Sequence, residues 1–294
     1  VVVESPLHSD HFYSLYFYDA GITFGQIIPM RSCLLLMFVL LSILSNAQQF
    51  SWAKAMGGSG PTFGYKVTVD HAGNTLITGK FNGTADFNPG PGIDTLSSPG
   101  NYDCFIVKLD TAGNLLWARQ LGGNGNVDPK AIFIDQNNTI YTTGIFSGTC
   151  DFDPGPLNAS LTALYANDIF VSKIDANGNY VWAKSMSGMN DEAGRDIAVD
   201  TAGNVFVGGI FYGTTDFDPG PASYTLSSPG FYDMFALKLD SMGNFKWVKQ
   251  ITASLNDEAY TLALDPAGNV YLGGGFSSTA DFDPGPGVYN LSTY

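Results

Sequence analysis

The strongest constraint on the fold of this 294-residue chain is a repeat of 65 residues. All four tryptophans keep this interval, and so do three separate series of aspartates. Several independent landmarks that share one period indicate a tandem array of structural units, such as a solenoid or a propeller. The series are Trp52, Trp117, Trp182 and Trp247; Asp86, Asp151, Asp216 and Asp281; Asp70, Asp135, Asp200 and Asp265; and Asp110, Asp175 and Asp240.

Each unit carries two β-hairpin signatures with Asp-x-x-Gly-Asn at the turn. In the first unit the turns fall at 70–74 and 110–114, each between two short apolar segments. The aspartate can accept a hydrogen bond from the backbone two residues on, and the glycine adopts the left-handed conformation that closes the turn. One turn has Asn138 in place of glycine, and asparagine also tolerates that conformation. We therefore predict that these aspartates form turns.

Two hairpins provide four strands per unit, which is the usual content of a propeller blade. A β-solenoid coil needs fewer residues per turn, and a β-sandwich does not repeat its sequence so regularly. The segment 105–109 alternates apolar and polar residues as a half-buried strand does. The predicted fold class is all-β, a β-propeller of four-stranded blades. The tryptophans are expected to fill the space between neighbouring blades, together with Phe81, Phe146, Phe211 and Phe276.

The units resemble the SBBP β-propeller repeats of exported bacterial proteins. The residues that carry the resemblance are Ala-Val-Asp-Thr-Ala-Gly-Asn-Val-Phe-Val-Gly-Gly at 198–209, followed by Lys-Leu-Asp-Ser-Met-Gly-Asn at 238–244 and a strand with Trp247. The resemblance covers about residues 50–294 and extends more distantly to NHL-type propellers. It implies a fold and an exported location, and it implies no catalytic residue.

An NHL-like register predicts blades at about 64–121, 129–186 and 194–251. A fourth blade, 259–294, is incomplete, and 50–56 is expected to be a lone outer strand. Propellers have roughly 4–8 blades. We therefore expect an incomplete ring and a chain that is a fragment of a longer protein.

The segment 30–47 has the pattern of a secretory signal peptide. Met30-Arg31 precedes an apolar run at 34–44, and Ser45-Asn46-Ala47 follows as a small-x-small cleavage site. The run has 11 residues, too few to span a hydrocarbon layer of about 30 Å as a helix. We predict cleavage after Ala47 and a mature chain without a membrane span. Residues 1–29 are then expected to be a mis-called upstream extension; a longer signal-anchor is the alternative.

Composition limits the possible partners. The formal net charge is −14, so the surface repels phosphate backbones and is not expected to bind nucleic acid. Cys33 lies in the predicted signal peptide. The positions equivalent to Cys104 and Cys150 hold uncharged residues in other units, so small apolar filler and a disulfide are both possible interpretations.

One repeated motif has carboxylates spaced as in a metal-binding loop. The sequence Asp-Phe-Asp-Pro-Gly-Pro occurs three times, and Asp-Phe-Asn-Pro-Gly-Pro occurs at 86–91. Two carboxylates at i and i+2 resemble the opening of a calcium loop, although the later ligands of such a loop are missing. The other interpretation is a structural turn, capped by the first aspartate and fixed by the prolines. The candidate Ca²⁺ ligands are Asp151, Asp153, Asp216, Asp218, Asp281 and Asp283.

The alternation of strands places the Asp-x-x-Gly-Asn turns at one face of the disc. The Asp-Phe-Asp-Pro loops and the connections at 122–130 and 188–196 then share the opposite face, where we expect any ligand to bind. The predicted function is a non-enzymatic, secreted or cell-surface module for adhesion, scaffolding, or binding of a protein or carbohydrate. One alternative is a propeller lyase or glycoside hydrolase, for which Glu192 and Glu258 are the available carboxylates, although both are expected to be solvated at the surface. The other alternative is a spacer for a further domain.

Overall fold

The computed structural model describes residues 50–293, and the all-β prediction is confirmed there. The predicted upstream extension, the signal peptide and Cys33 lie outside the described residues. Between residues 50 and 293 there is no helix of the length and apolarity needed to cross a membrane.

Three four-stranded antiparallel blades are followed by a half-blade, and each blade is ordered from its innermost to its outermost strand. Blade 1 contains β2 (Thr62–Val69), β3 (Thr75–Asp86), β4 (Thr95–Leu109) and β5 (Leu115–Leu121). Blade 2 contains β6 (Asn126–Ile134), β7 (Ile140–Ser147), β10 (Asp168–Ile174) and β11 (Tyr180–Gly188). Blade 3 contains β12 (Glu192–Val199), β13 (Val205–Phe211), β16 (Asp233–Leu239) and β17 (Phe245–Ala253), and the half-blade contains β18 (Glu258–Leu264) and β19 (Val270–Gly275).

The innermost strands of successive blades lie side by side. β6 packs against β2, β12 against β6, and β18 against β12. The Asp196 carboxylate on β12 accepts a hydrogen bond of 2.8 Å from the Leu262 backbone on β18. Among the described strands β18 pairs only with β19, and β2 exposes Phe63, Tyr65 and Val67. The described blades therefore form an open array and not a closed ring.

Each repeat also has a third hairpin, which the sequence did not predict. It projects from the end of the second strand and is called the arm. Its tip has the Asp-Phe-Asp-Pro motif, or Asp-Phe-Asn-Pro in the first repeat. Arm 1 is the far end of β3 paired with the start of β4. Arm 2 is β8 (Thr149–Asp151) with β9 (Ser160–Thr162), arm 3 is β14 (Thr214–Asp216) with β15 (Thr225–Ser227), and arm 4 is β20 (Thr279–Asp281) with β21 (Asn290–Ser292).

Each arm pairs with the chain segment that immediately precedes its own blade. Arm 3 pairs with the end of β11 and arm 4 with the end of β17, while Gly122 at the end of blade 1 bridges to Asp151 of arm 2. Arm 1 pairs with β1 (Gly57–Gly58), which is the only strand assigned near the predicted outer strand at 50–56. Backbone hydrogen bonds thus join each repeat to the one before it.

A trio of phenylalanines joins each arm to its own blade. In blade 2, Phe152 of arm 2 lies 5.5 Å from Phe146 and 5.1 Å from Phe170, measured between ring centroids. All three rings are fully buried. Equivalent trios occur in blades 1 and 3, at Phe81, Phe87 and Phe105 and at Phe211, Phe217 and Phe235. The phenylalanine of the motif therefore packs inward in blades 1, 2 and 3.

The hydrogen bonds and backbone conformations of the Asp-x-x-Gly-Asn turns are also as predicted. The Asp70 Oδ1 atom accepts hydrogen bonds from the Ala72 and Asn74 backbone N–H groups at 2.9 and 2.8 Å. Gly73 has a φ of 82°, and Asn138, which replaces glycine in one turn, has a φ of 59°. These values lie in the left-handed region that glycine and asparagine tolerate.

Cys104 and Cys150 are both buried and are not bonded to each other. Burial raises the pKa of each thiol to about 12. These thiols stay protonated and unreactive at neutral pH, so they act as small apolar filler. The disulfide interpretation for this pair is wrong.

The phenylalanine trio predicts a large stability difference between two residues of the same arm. Phe152→Ala should lower the free energy of unfolding by about 3–5 kcal/mol, because it leaves a cavity between the arm and blade 2. Leu157→Ala in the same arm is the matched control, since Leu157 is 74% exposed. Urea denaturation monitored by circular dichroism measures both; similar losses in the two variants would contradict this account of the arm.

Candidate ligand-binding cleft on the loop face

The two ends of the sheets differ as the sequence predicted. The turn face carries the Asp-x-x-Gly-Asn turns, where Trp182 donates a hydrogen bond of 3.1 Å from its Nε1 atom to the Ser241 carbonyl of the next blade. The loop face carries the arms and the connections at 122–130 and 188–196. There the Asn167 side chain of blade 2 donates to Asp191 Oδ1 at 2.9 Å.

The predicted calcium ligands lie in the arm tips, where their carboxylates bind backbone N–H groups. Asp216 Oδ1 accepts from the Asp218 and Tyr224 backbones at 3.1 and 2.8 Å, and Asp218 Oδ1 accepts from Gly220 at 2.8 Å. Two further arms repeat this geometry through Asp151 and Asp153 and through Asp281 and Asp283.

In the described part of the chain, no three His, Cys, Asp or Glu side chains converge where a metal ion could bind. The tips of arms 2, 3 and 4 each hold two carboxylates, and one oxygen of each carboxylate already accepts at least one backbone hydrogen bond. A calcium ion would have to bind the other oxygen of each carboxylate. Calcium binding at these tips stays a prediction.

Buried carboxylates form a second acidic feature beneath the loop face. Asp168 and Asp233 begin the third strands of their blades, Asp103 holds the equivalent position within β4, and all three are fully buried. Gln250 donates to Asp233 at 2.6 Å, and burial, which outweighs that bond, raises the pKa of Asp233 to about 6. These carboxylates are held in position between the loops and the blade cores.

Glu192 joins this buried set, so the expectation that it is a solvated surface residue is wrong. It is 1% exposed, and its Oε1 atom accepts a hydrogen bond of 3.0 Å from Thr215 of arm 3. Burial, with the negative charge of Asp168 as a further cause, raises the pKa of Glu192 to about 8. Glu192 is therefore largely protonated at neutral pH. Glu258, on the next blade, is half-buried and accepts from the Tyr260 hydroxyl at 2.5 Å.

Above Glu192 an open cleft of about 390 Å³ separates the loops of blades 2 and 3. Three aromatic rings of blade 3 form one wall. The Tyr212 and Phe231 rings are 6.4 Å apart and nearly parallel, at 19°, and Tyr232 lies 5.8 Å from Tyr212. Met189, Asn190, Asp191 and Ala166 complete the lining.

The cleft presents both apolar and polar groups to solvent. Phe231 is 54% exposed and Met189 is 64% exposed. The Asp191 carbonyl accepts the Tyr212 N–H at 3.2 Å, which ties the two walls together. Gly213 has a φ of 76°, and a Cβ there would lie 2.2 Å from the Asn190 side chain, so glycine is needed for the amide to reach this place. An apolar cleft with a few fixed polar groups is typical of a small-ligand site.

Sequence reasoning located this face but not these residues. Two of the three aromatic residues depart from the repeat: the positions equivalent to Tyr212 hold Asn82, Ser147 and Ser277, and those equivalent to Phe231 hold Asn101 and Ala166. A search for loop aromatics that occur in one repeat alone would have found the cleft.

The hydrogen bonds of the arm tips predict that two aspartate substitutions lower the stability by different amounts in calcium-free buffer. Asp216→Ala removes the acceptor of two backbone N–H groups and should lower the free energy of unfolding by about 1–3 kcal/mol. Asp218→Ala removes the acceptor of only one and is the matched control, with the smaller loss expected. Urea denaturation compares them, and a larger loss for the control would contradict the turn geometry. If calcium binds, it should raise the melting temperature of the parent protein and raise that of both variants less.

The buried Glu192 predicts a pH dependence of stability. Its pKa is raised on folding from 4.5 to about 8, so folding favours the protonated form. This contribution is complete below about pH 4.5 and is lost as the pH rises towards 8. From pH 5.5 to 8 the parent protein should lose up to about 1.4 kcal/mol per pH unit relative to Glu192→Gln, which cannot ionise. Parallel stability profiles for the two proteins in urea denaturation would contradict this prediction.

Comparisons with known proteins agree with this architecture. Residues 246–282 match the sequence model of SBBP, described as a beta-propeller repeat. The match runs from the outermost strand of blade 3 to the start of the tip of arm 4. It therefore spans the junction at which an arm pairs with the preceding blade.

Two curated relatives are detected. An uncharacterized WD repeat-containing protein of Acanthamoeba polyphaga mimivirus is 24% identical over 255 residues, covering 76% of this chain and 18% of the relative. Regulatory protein FlaEY of Caulobacter vibrioides is 29% identical over 110 residues, covering 37% of this chain and 12% of that protein. This chain therefore spans less than a fifth of the length of either relative. With the all-β blades described above, these matches confirm the predicted resemblance to SBBP repeats, which the sequence model finds at 246–282, and they support a β-propeller repeat architecture.

Proposed function

We propose that the protein is a non-enzymatic binding module that takes a carbohydrate in the loop-face cleft of blades 2 and 3. The observation that carries the proposal is the wall of exposed rings at Tyr212 and Phe231 beside Asn190 and Asp191. The apolar faces of sugar rings pack on aromatic side chains. Amide and carboxylate groups at the edge of such a wall can bond to sugar hydroxyls.

The charge of the molecule disfavours an anionic ligand. With a formal net charge of −14, the chain repels polyanions, whereas uncharged glycans are unaffected.

In the cleft itself, burial and then the negative charge of Asp191 raise the pKa of Tyr232, so this phenol stays neutral and able to donate a hydrogen bond.

The signal-peptide pattern at 30–47 supports an exported location, where glycans of cells and matrices are available. A propeller with several repeats also suits adhesion or scaffolding, because its remaining faces are free for other contacts.

The proposal gives no catalytic role to Glu192 or Glu258. Glu192 is 1% exposed beneath the cleft, and the Glu258 carboxylate is bonded to its neighbour Tyr260.

A glycan array followed by calorimetric titration of the best ligand tests the proposal. Phe231→Ala and Tyr212→Ala should each weaken binding at least about tenfold, because each removes a ring worth roughly 1.5–3 kcal/mol when it is covered by a ligand. Tyr289→Ala is the matched control, since Tyr289 is 64% exposed on arm 4 and outside the cleft. Equal loss in the control, or no glycan ligand for the folded protein, would contradict carbohydrate binding at this site.

A further inference from the structure

A polar cavity of about 240 Å³ lies at the turn face, between blades 2 and 3. Its walls are the first turn of blade 2 and both turns of blade 3, and two side chains from the strands of blade 2, Tyr141 and Lys173, also line it. Sites for drug-sized ligands measure about 300–1,000 Å³. This cavity therefore suits a smaller and polar molecule, unlike the aromatic cleft on the loop face.

The third strand of each four-stranded blade has a lysine at the same position of the repeat, namely Lys108, Lys173 and Lys238. In blade 1, Lys108 forms an ion pair of 2.8 Å with Asp70 of the first turn. In blade 3, Lys238 lies 3.9 Å from the Asp200 carboxylate of its first turn. Lys173 forms no ion pair with any residue of the described range 50–293.

Tyr141 explains why Lys173 differs from the other two lysines. The Tyr141 hydroxyl donates to the Asp135 Oδ2 atom at 3.2 Å. The lysine of blade 1 bonds to the same carboxylate oxygen of its own turn, so the tyrosine takes the lysine's place in blade 2. The positions equivalent to Tyr141 hold Leu76 in blade 1 and Phe206 in blade 3, which have no hydroxyl group.

The ammonium group of Lys173 is half-buried without a carboxylate partner. Its Nζ atom donates to the Ser241 carbonyl at 3.2 Å and lies 5.1 Å from the centre of the Tyr141 ring. Burial lowers the pKa of Lys173, because the ammonium ion loses hydration there. An ammonium group has three donors, so Lys173 can still bond to an anionic group in the cavity.

The cavity also presents negative charge, because Asp135 and Asp200 line it together with Lys173. A ligand with a carboxylate alone is attracted by the lysine and repelled by the two aspartates. A ligand with an ammonium group alone meets the opposite conflict. A small molecule that has both groups avoids both conflicts, since each of its charges can face the opposite charge in the wall.

We propose that this cavity binds a free α-amino acid as the zwitterion. The carboxylate of the ligand pairs with the Lys173 ammonium group, and its ammonium group faces Asp135 and Asp200. Hydrogen bonds between charged groups are the stronger ones in proteins, which suits the recognition of so small a ligand.

Three probes of similar size test the chemistry of the ligand. L-alanine, propionate and ethylammonium are titrated into the whole protein, and NMR of carbon-13-labelled lysine side chains follows Lys173. We expect L-alanine to saturate one site per chain and to raise the pKa of Lys173, because its carboxylate stabilises the ammonium form. Propionate and ethylammonium should each bind at least about tenfold more weakly, since each lacks one charged contact. Failure of L-alanine to bind, or equal binding of all three probes, overturns the proposal.

Matched variants test the location. Lys173→Met removes the ammonium group and should weaken L-alanine binding at least about tenfold. Lys184→Met, also in blade 2 but outside the cavity lining, is the control and should bind as the parent does. Tyr141→Leu introduces the residue of blade 1 and should also weaken binding, because Lys173 can then pair with Asp135.

The variant of the loop-face cleft separates this proposal from the carbohydrate one. Phe231→Ala should leave L-alanine binding unchanged, because Phe231 does not line the cavity at the turn face. The amino-acid site is overturned if Lys173→Met binds L-alanine as tightly as the parent does, or if Lys184→Met weakens binding to the same extent.

Discussion

The pairing of each arm with the chain segment that precedes its own blade is the interaction on which the rest of this structure depends. The backbone hydrogen bonds between arm 3 and β11 bring the tip of the arm back over its own blade. Its phenylalanine, Phe217, is then buried between Phe211 and Phe235. Two interactions thus hold the arm in place. Sheet pairing joins it to the preceding blade, and aromatic packing joins it to its own blade.

The burial of Glu192 beneath the loop face depends on this placement of the arm. Arm 3 brings Thr215 to the Glu192 side chain, and the start of β10 places Asp168 in the same buried region. The pKa of Glu192 is raised because burial and a neighbouring charge both disfavour ionisation. Asp191, which lines the aromatic cleft, directly precedes Glu192 in the chain. The two walls of the cleft belong to different blades, so its width depends on how the blades pack and not on any single loop.

The sequence predicted what is local and repeated. The turns followed from aspartate and glycine chemistry within five residues, and the four-stranded blades followed from the 65-residue period. The arms were missed because strands of three residues, such as Thr214–Asp216, have no periodic pattern and owe their pairing to a neighbouring blade. Glu192 was placed at the surface because glutamate is rarely buried, and only the packing of two blades shows otherwise. The cleft was missed because Tyr212 and Phe231 break the repeat that guided the prediction.

The arm has a consequence for how such a chain can lengthen. A 65-residue unit carries both an arm that reaches back and an outer strand that receives the next arm. Duplicating one unit within the gene therefore adds a module whose two surfaces already match those of its neighbours. Copy number can then change in whole steps without compensating substitutions. Tyr212 and Phe231 differ from the residues at the equivalent positions of the other copies, so loop residues can change from unit to unit while the arm and the outer strand are kept.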